Sequence, residues 1–197
     1  GIRDDLVTGS SDVCSSDLGK SAIRVLDWGG GLGCYYLLAR SLAPHLELDY
    51  TCYDLRSPEP TDELKGCRFT SDAESTLATT YDLVIASGSI NYARNWREDF
   101  AQLSRCAAPW FYLARQPSFD RQPSGVVLQH AAGHGYETDY PGWFLNRADV
   151  LAQAQSLGIE LRRIFYQQRL DPIPGIEEHP HFLGYLFNTS GAQSARA

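Results

Sequence analysis

The chain has 197 residues, of which 43% are hydrophobic, which is the size and composition of one globular domain with a sizeable core. Its net charge of −7 at pH 7 excludes broad nucleic-acid binding, which needs Lys and Arg to displace counterions along phosphates. No apolar run reaches membrane-spanning length and no basic n-region leads into a signal-like stretch, so a protein of the cytoplasm without a membrane span is expected.

Residues 1–20 are polar and serine-rich, with neither helical nor strand periodicity. Ser11 to Lys20 resembles translated library-adaptor sequence, so this stretch is expected to be a non-native or disordered tail. A flexible arm is the alternative.

The most informative segment follows. Ile23 to Leu26 reads as a buried parallel strand, Asp27 ends it, and Gly29, Gly30, Gly31 and Gly33 form a turn before helix-spaced apolar residues from Leu32 to Leu42. Glycines supply positive φ and let backbone N–H groups approach a ligand with no Cβ in the way. A P-loop needs Gly-Lys-Ser/Thr to close the turn, and Gly19-Lys20-Ser21 lies before the strand instead. A dinucleotide fingerprint would put Cys34 where a small residue must pack, and would set Asp27 beside a pyrophosphate. A carboxylate facing a cationic sulfonium and amino group is attractive, which favours S-adenosylmethionine over NAD. A tight strand–helix connection with no ligand is the plain alternative.

Leu48 to Tyr53 reads as a second strand closed by Asp54, about 20 residues beyond the last glycine, where a carboxylate accepts ribose hydroxyls. Leu55 follows it in the same expected cofactor wall. Cys67 to Thr70 reads as a short third strand. Asp72 and Ala73 then fall where an adenine amino group is expected, with a plain helix N-cap at Asp72 as the alternative. Leu83 to Ala86 is the fourth strand, placed beside the first by the chain reversal of doubly wound sheets, so Ser87 and Gly88 should line the switch point where ligands bind. Trp96, Phe100 and Leu103 share one helix face and read as core. Trp110 to Ala114 is a fifth strand.

From Gln116 to Asn146 the chain reads as a long irregular insert, rich in Tyr, Trp and His, and is taken as an acceptor-binding lid. His130 and His134 are its titratable candidates, with His130 the candidate base. Gln129, Tyr92 and Tyr140 can hydrogen-bond a sugar-like acceptor, while Trp143 can stack on an apolar sugar face; a buried aromatic plug is the competing account of Trp143 and Phe144. Arg115 can fork onto a phosphate or carboxylate, or pair with a sheet-edge acid. Asn146 caps a helix that carries Val150, Leu151, Ala154 and Leu157 and stops at Gly158. Ile159 to Phe165 and His181 to Phe187 then form an antiparallel hairpin joined by a Pro-rich loop, 171–180, with 191–197 a disordered tail.

The five cysteines, at 14, 34, 52, 67 and 106, form no Cys-x-x-Cys and no Cys/His cluster. Neither a zinc site nor a disulfide framework is indicated, and no metal is expected. Cys34, in a helix, and Cys52, in a strand, read as core thiols in a reducing compartment.

Several pieces taken together resemble a little-characterised family of predicted S-adenosylmethionine-dependent methyltransferases associated with bacterial surface-polysaccharide loci. They are Val-Leu-Asp-Trp-Gly-Gly-Gly-Leu-Gly at 25–33, Asp82-Leu-Val-Ile-Ala-Ser-Gly-Ser-Ile-Asn-Tyr92, Arg115-Gln-Pro117, Val127-Leu-Gln129, Tyr140-Pro-Gly-Trp-Phe144 and Phe182-Leu-Gly-Tyr-Leu-Phe187. Tyr-Pro-x-Trp-Phe is the most specific, since a generic methyltransferase fold does not require it. Members usually carry a helical segment ahead of the glycine strand; the polar opening of this chain departs from that.

The resemblance and the residues imply an α/β, Rossmann-like class I methyltransferase fold over 21–190, a mostly parallel doubly wound sheet ending in an antiparallel hairpin. S-adenosyl-L-methionine is the expected cofactor. The expected reaction is O-methylation of a sugar or nucleotide-linked sugar precursor, with His130, Arg115 and Tyr92 as the catalytic candidates and no nucleic-acid partner. A non-catalytic ligand-binding module and an NAD-dependent oxidoreductase are the rival readings, the latter opposed by the absence of a Tyr-x-x-x-Lys pair.

Overall fold

Apolar and β-branched runs become strands and the intervening amphipathic runs become helices, in a computed structural model that describes residues 21–56, 61–130 and 138–194. The strands are β1 (Ala22–Trp28), β2 (Glu47–Tyr53), β3 (Cys67–Thr70), β4 (Tyr81–Ser87), β5 (Ala107–Phe119), β6 (Gly125–His130), β7 (Asp139–Asn146), β8 (Glu160–Arg169) and β9 (His181–Asn188). The helices are α1 (Cys34–Leu42), α2 (Ala73–Leu77), α3 (Trp96–Cys106), α4 (Arg147–Ser156) and α5 (Ser190–Ser194).

β3, β2, β1, β4 and β5 lie side by side and parallel. β9 runs antiparallel on the other side of β5, and β8 pairs antiparallel with β9. Because β1 lies between β2 and β4, the chain reverses its winding there, and the strand ends on either side splay into a crevice.

Side chains alternate across the sheet. Val84, Ala86, Phe111, Leu113, Tyr185 and Phe187 face α3 and α4 and merge with Trp96, Phe100, Leu103, Val150 and Ala154 in the larger core. Ile23, Val25, Tyr50 and Cys52 face the other way and pack with Tyr36 of α1. Asn95 and Asn146 cap α3 and α4, their side chains accepting from Arg97 N and Ala148 N. Among the described residues no helix is long and apolar enough to cross a membrane.

Three expectations change, and one helix settles a face that the sequence left open. The stretch 116–146 is not irregular: β5 runs on to Phe119, and β6 and β7 form an antiparallel hairpin whose inner strand pairs with β5 through Ser118–Leu145 and Phe119–Asn146. Its Pro and Gly residues hid a strand pattern that Val126, Val127 and Leu128 already carried. The chain end is not all tail, since α5 packs with Ala192 at 8% exposure and the preceding Thr189 Oγ1 donates to Ala107 O at 2.7 Å. Cys34 is exposed, whereas Cys52 is buried. Finally, α1 turns Tyr36 rather than its leucines to the sheet, leaving Leu38 and Leu42 50% and 55% exposed. The Tyr36 hydroxyl donates to Lys65 O at 2.7 Å, and that bond fixes the roll of a helix whose apolar periodicity alone could not. The stretch 1–20 and His134 lie outside the described residues.

Candidate functional site

The crevice is built first by backbone. Gly29 and Gly30 N–H both donate to Tyr53 O, at 2.8 and 3.2 Å, which ties the turn after β1 to the end of β2. Gly29, Gly31 and Gly33 have φ of 74°, 57° and 75°, the left-handed region where a Cβ is penalised. Gly33 is the N-cap of α1 and provides no side-chain cap, so first-turn amides are left for an outside acceptor. Gly31 has nothing within 4 Å of where a Cβ would stand, so its backbone borders open space.

Side chains complete that half. Asp54 Oδ2 accepts from Gly31 N at 3.0 Å, holding the carboxylate at the mouth of the turn. Beside it Leu55 is 83% exposed, an apolar surface at the strand end. Asp72 caps α2, its Oδ1 accepting from Ser75 N at 3.1 Å, and its amide donates to Thr70 Oγ1 at 3.1 Å. The capping role weighed for Asp72 is therefore present, with Ala73 opening the helix. Ser87 exchanges a 2.8 Å hydrogen bond with Tyr35 of α1. Gly88, φ 59°, donates to Ala114 O at 2.9 Å. A Cβ on Gly29 would stand 2.5 Å from Ser89 Cβ, so the ends of β1 and β4 touch.

Asp27 is placed differently from a residue facing solvent. Its side chain is 0% exposed and Tyr50 OH donates to Oδ2 at 3.0 Å. A Cβ on Gly30 would stand 2.5 Å from that same oxygen. Burial pushes the carboxyl up to about 6, against the opposing Tyr50 bond and with the Asp54 charge adding to the rise. Oδ1 has no hydrogen-bond partner among the described residues. The carboxylate thus sits under the turn with one unsatisfied oxygen, which suits a group that answers a cation bound nearby.

The second half is assembled from distant segments. Ser89 leads into a 3-10 turn, Ile90–Tyr92. Tyr92 meets Tyr140 edge-on, ring centroids 5.4 Å apart, and Gln129 lies opposite Tyr140 in register. A Cβ on Gly142 would collide with Gln129 Nε2 and approach Tyr92 Cε1 at 3.5 Å. Trp143 Nε1 donates to Ala93 O at 3.0 Å and its ring packs partly on the core, while Phe144 is buried against Phe119. The aromatic-plug account holds for Phe144 and for Trp143, which alternation puts on the face opposite Tyr140. Gln116, fully buried, donates to Trp143 O at 3.3 Å.

Tyr92, Gln129 and Tyr140 are therefore brought together. His130 is not. Neighbouring residues on a strand point to opposite faces, so with Gln129 and Tyr140 on one face, His130 faces the other, pairing with Asp139 at 2.9 Å. Arg115 stands apart from the hairpin, beside Gly88. Its N–H donates to Gln167 Oε1 at 2.8 Å and its guanidinium lies over Phe182, 5.2 Å from the ring centre. Its φ of 49° is strained for a non-glycine and coincides with the register shift between Leu113 and Gln116 against β9. Asn91, Gln116 and Gly142 join the site without having been singled out. Asn91 stood inside Ser-Ile-Asn-Tyr, and a glycine within a strand was the signal for Gly142.

No family model matches the chain, and no curated protein matches it. Solved structures do share its architecture. A SAM-dependent methyltransferase from Methanosarcina mazei aligns at TM-score 0.60 and 13% identity over 86% of this chain and 93% of its own. The chain has the Rossmann-like fold of class I methyltransferases. The 1,6-didemethyltoxoflavin-N1-methyltransferase of Burkholderia thailandensis, with 1,6-didemethyltoxoflavin and S-adenosylhomocysteine bound, aligns at 0.59 and 17% identity over 90% and 75% of the two chains. The N-terminal domain of EvdMO1, in the presence of S-adenosylhomocysteine and D-fucose, aligns at 0.53 and 14% over 92% and 83%. At such identities the likeness is one of fold.

Proposed function

We propose that the protein is an S-adenosyl-L-methionine-dependent methyltransferase that methylates a hydroxyl of a sugar, or of a nucleotide-linked sugar precursor of a surface polysaccharide, in the cytoplasm. The observation that carries the reading is the clamp between Gly31 N–H and Asp54 Oδ2 over a turn open to solvent, in a fold shared with structures holding S-adenosylhomocysteine. The sugar side rests on the aromatic and amide wall of Tyr92, Gln129 and Tyr140. The family resemblance supports it, and so does a fold relative studied with D-fucose.

In this reading Asp54 accepts the ribose hydroxyls, and the backbone of Gly29 to Gly33 with the first turn of α1 holds the amino-acid end. Asp27 answers its charge from below. Leu55, Asp72 and Ala73 border the adenine, and Ser87 and Gly88 form the floor. When bound, the cofactor supplies an electrophilic methyl group on a sulfonium that leaves without needing an acid. The chain has to align a hydroxyl, exclude water and let one proton go. Burial holds the Tyr92 phenol above its ordinary range, with Tyr140 adding to the rise, so Tyr92 orients the acceptor rather than deprotonating it. Arg115 holds a phosphate or carboxylate of the acceptor. His130, on the outer face of its hairpin, has no part.

Calorimetric titration with S-adenosylhomocysteine and, separately, with NAD tests the donor. Saturable binding of the first alone is expected; binding of NAD alone overturns the reading. Transfer of labelled methyl to nucleoside-diphosphate hexoses then separates an enzyme from a module that only binds.

A further inference from the structure

A register shift flanks β9 on each side. From Leu113 to Gln116 β5 advances three residues while β9 advances two, Tyr185 to Leu183. From Tyr166 to Gln168 β8 advances two while β9 advances one, Leu183 to Phe182. Each outer strand thus carries one extra residue there, and an extra residue bends a strand and re-aims a side chain. The two shifted stretches are tied together across β9. Arg115 has no register partner in β9; its N–H donates instead to Gln167 Oε1 at 2.8 Å, and Gln167 Nε2 donates to the Tyr112 hydroxyl at 3.5 Å. Gly184 keeps the space over β9 clear, since a Cβ there would stand 2.8 Å from the Tyr112 hydroxyl oxygen.

Arg115 is the one non-glycine with positive φ among the described residues. Its side chain is exposed, so the left-handed backbone seats nothing in the core, and a glycine would adopt it freely. What arginine adds is a guanidinium. Arg115 Cβ stands beside Gly88 of the crevice floor, while the guanidinium lies over Phe182 and meets no carboxylate among the described residues. We propose that Gln167 is a positioning residue, holding the Arg115 backbone in its left-handed conformation so that the guanidinium forks onto an oxyanion of the acceptor, a phosphate or a carboxylate. A planar fork takes two oxygens at once and stacks on an aromatic face, so its affinity depends on an aim that the backbone sets. The inference rests on the methyltransferase reading, in which Arg115 meets the acceptor, and adds the residue that aims it.

The first test needs no acceptor. Arg115→Gly and Arg115→Ala both lose the guanidinium, and only glycine takes φ 49° without strain. Arg115→Gly should therefore melt about 2 °C or more above Arg115→Ala. Equal Tm values would show that no strain is held at this position, which overturns the proposal. The second test is calorimetric titration of the S-adenosylhomocysteine complex with nucleoside-diphosphate hexoses and, separately, with hexuronic acids, which tells a phosphate from a carboxylate. Arg115→Ala should weaken binding of the favoured class about tenfold, and Gln167→Leu about threefold. The double variant should bind no more weakly than Arg115→Ala, because Gln167 acts only through the arginine. The positioning role is refuted if Gln167→Leu has its full effect in the Arg115→Ala background, if it has no effect at all, or if the parent protein binds neither class. In turnover with labelled S-adenosylmethionine, Gln167→Leu should raise acceptor KM and leave kcat unchanged; a lowered kcat at constant KM contradicts it. S-adenosylhomocysteine affinity, measured on each variant, should stay constant. Failure of the parent protein to bind it would sink the methyltransferase reading, and the Tm comparison would still decide whether Arg115 is held under strain.

Discussion

The two halves of the crevice are made in different ways. The glycine half is almost wholly local: β1, the turn and α1 are consecutive, and β2 contributes through Tyr53 O and Asp54. Its working groups are mostly backbone amides held by left-handed glycines. The hairpin half takes Asn91, Tyr92, Gln129, Tyr140 and Gly142 from three separate segments and works through side chains. A local turn is fixed by its own dihedral preferences. An assembled wall is only as firm as the contacts that seat its pieces.

One substitution pair should break that contrast or sharpen it most. Gly30→Ala forces a Cβ to within 2.5 Å of Asp27 Oδ2 and 2.6 Å of Cys52 Sγ; in a packed core this should cost about 3 kcal/mol. Gly31→Ala meets no atom within 4 Å and carries only the left-handed strain, about 1 kcal/mol. Thermal melts should separate the two by several degrees, while S-adenosylhomocysteine titration should show lost affinity in Gly31→Ala. Equal melts would mean that the glycine half is not fixed by its backbone in this way.

The hairpin half is seated by Glu178, from the Pro-rich loop between β8 and β9. This buried carboxylate accepts from the amides of Asp120, Arg121 and Gln122 at 2.6, 2.9 and 2.8 Å, pinning the turn between β5 and β6. Burial pushes its carboxyl up, but the three amides outweigh that and hold it below the usual range. Glu178→Ala should cost about 3 kcal/mol, since it strands charge-assisted hydrogen bonds. A lowered folded value means that this stabilisation is present above the unfolded carboxylate range and is lost as pH falls through the folded one. Denaturant melts of both proteins should therefore converge in acid. A difference independent of pH would point to packing instead.

Asp27 in the glycine half has the opposite sign. Its carboxyl is raised from 3.8 to about 6, so its contribution is complete below the unfolded value and is lost as pH rises through about 6. Asp27→Asn should accordingly be more stable than the parent protein near pH 8, by about 3 kcal/mol, with the gain vanishing near pH 4. A variant less stable at both would show that the ionised carboxylate is well satisfied. The smallest effect belongs to Trp143→Phe. Loss of its bond to Ala93 O should cost about 1 kcal/mol and raise acceptor KM with donor affinity unchanged, as titration would show.

Sequence by itself determined the glycine half. Strand periodicity, four glycines after Asp27 and an acid at the end of the next strand carry that half in residues close along the chain. The cap at Asn146 was legible for the same reason, being a local side-chain-to-backbone bond. Tertiary structure decided the rest. Whether Leu38 or Tyr36 of α1 meets the sheet depended on a hydroxyl reaching Lys65. The segment after Gln116 became strand because it found an unpaired edge at the extended end of β5. Once it paired, strand alternation sent Gln129 toward Tyr92 and His130 away from it, because the period of a strand is two and one residue of register exchanges the faces.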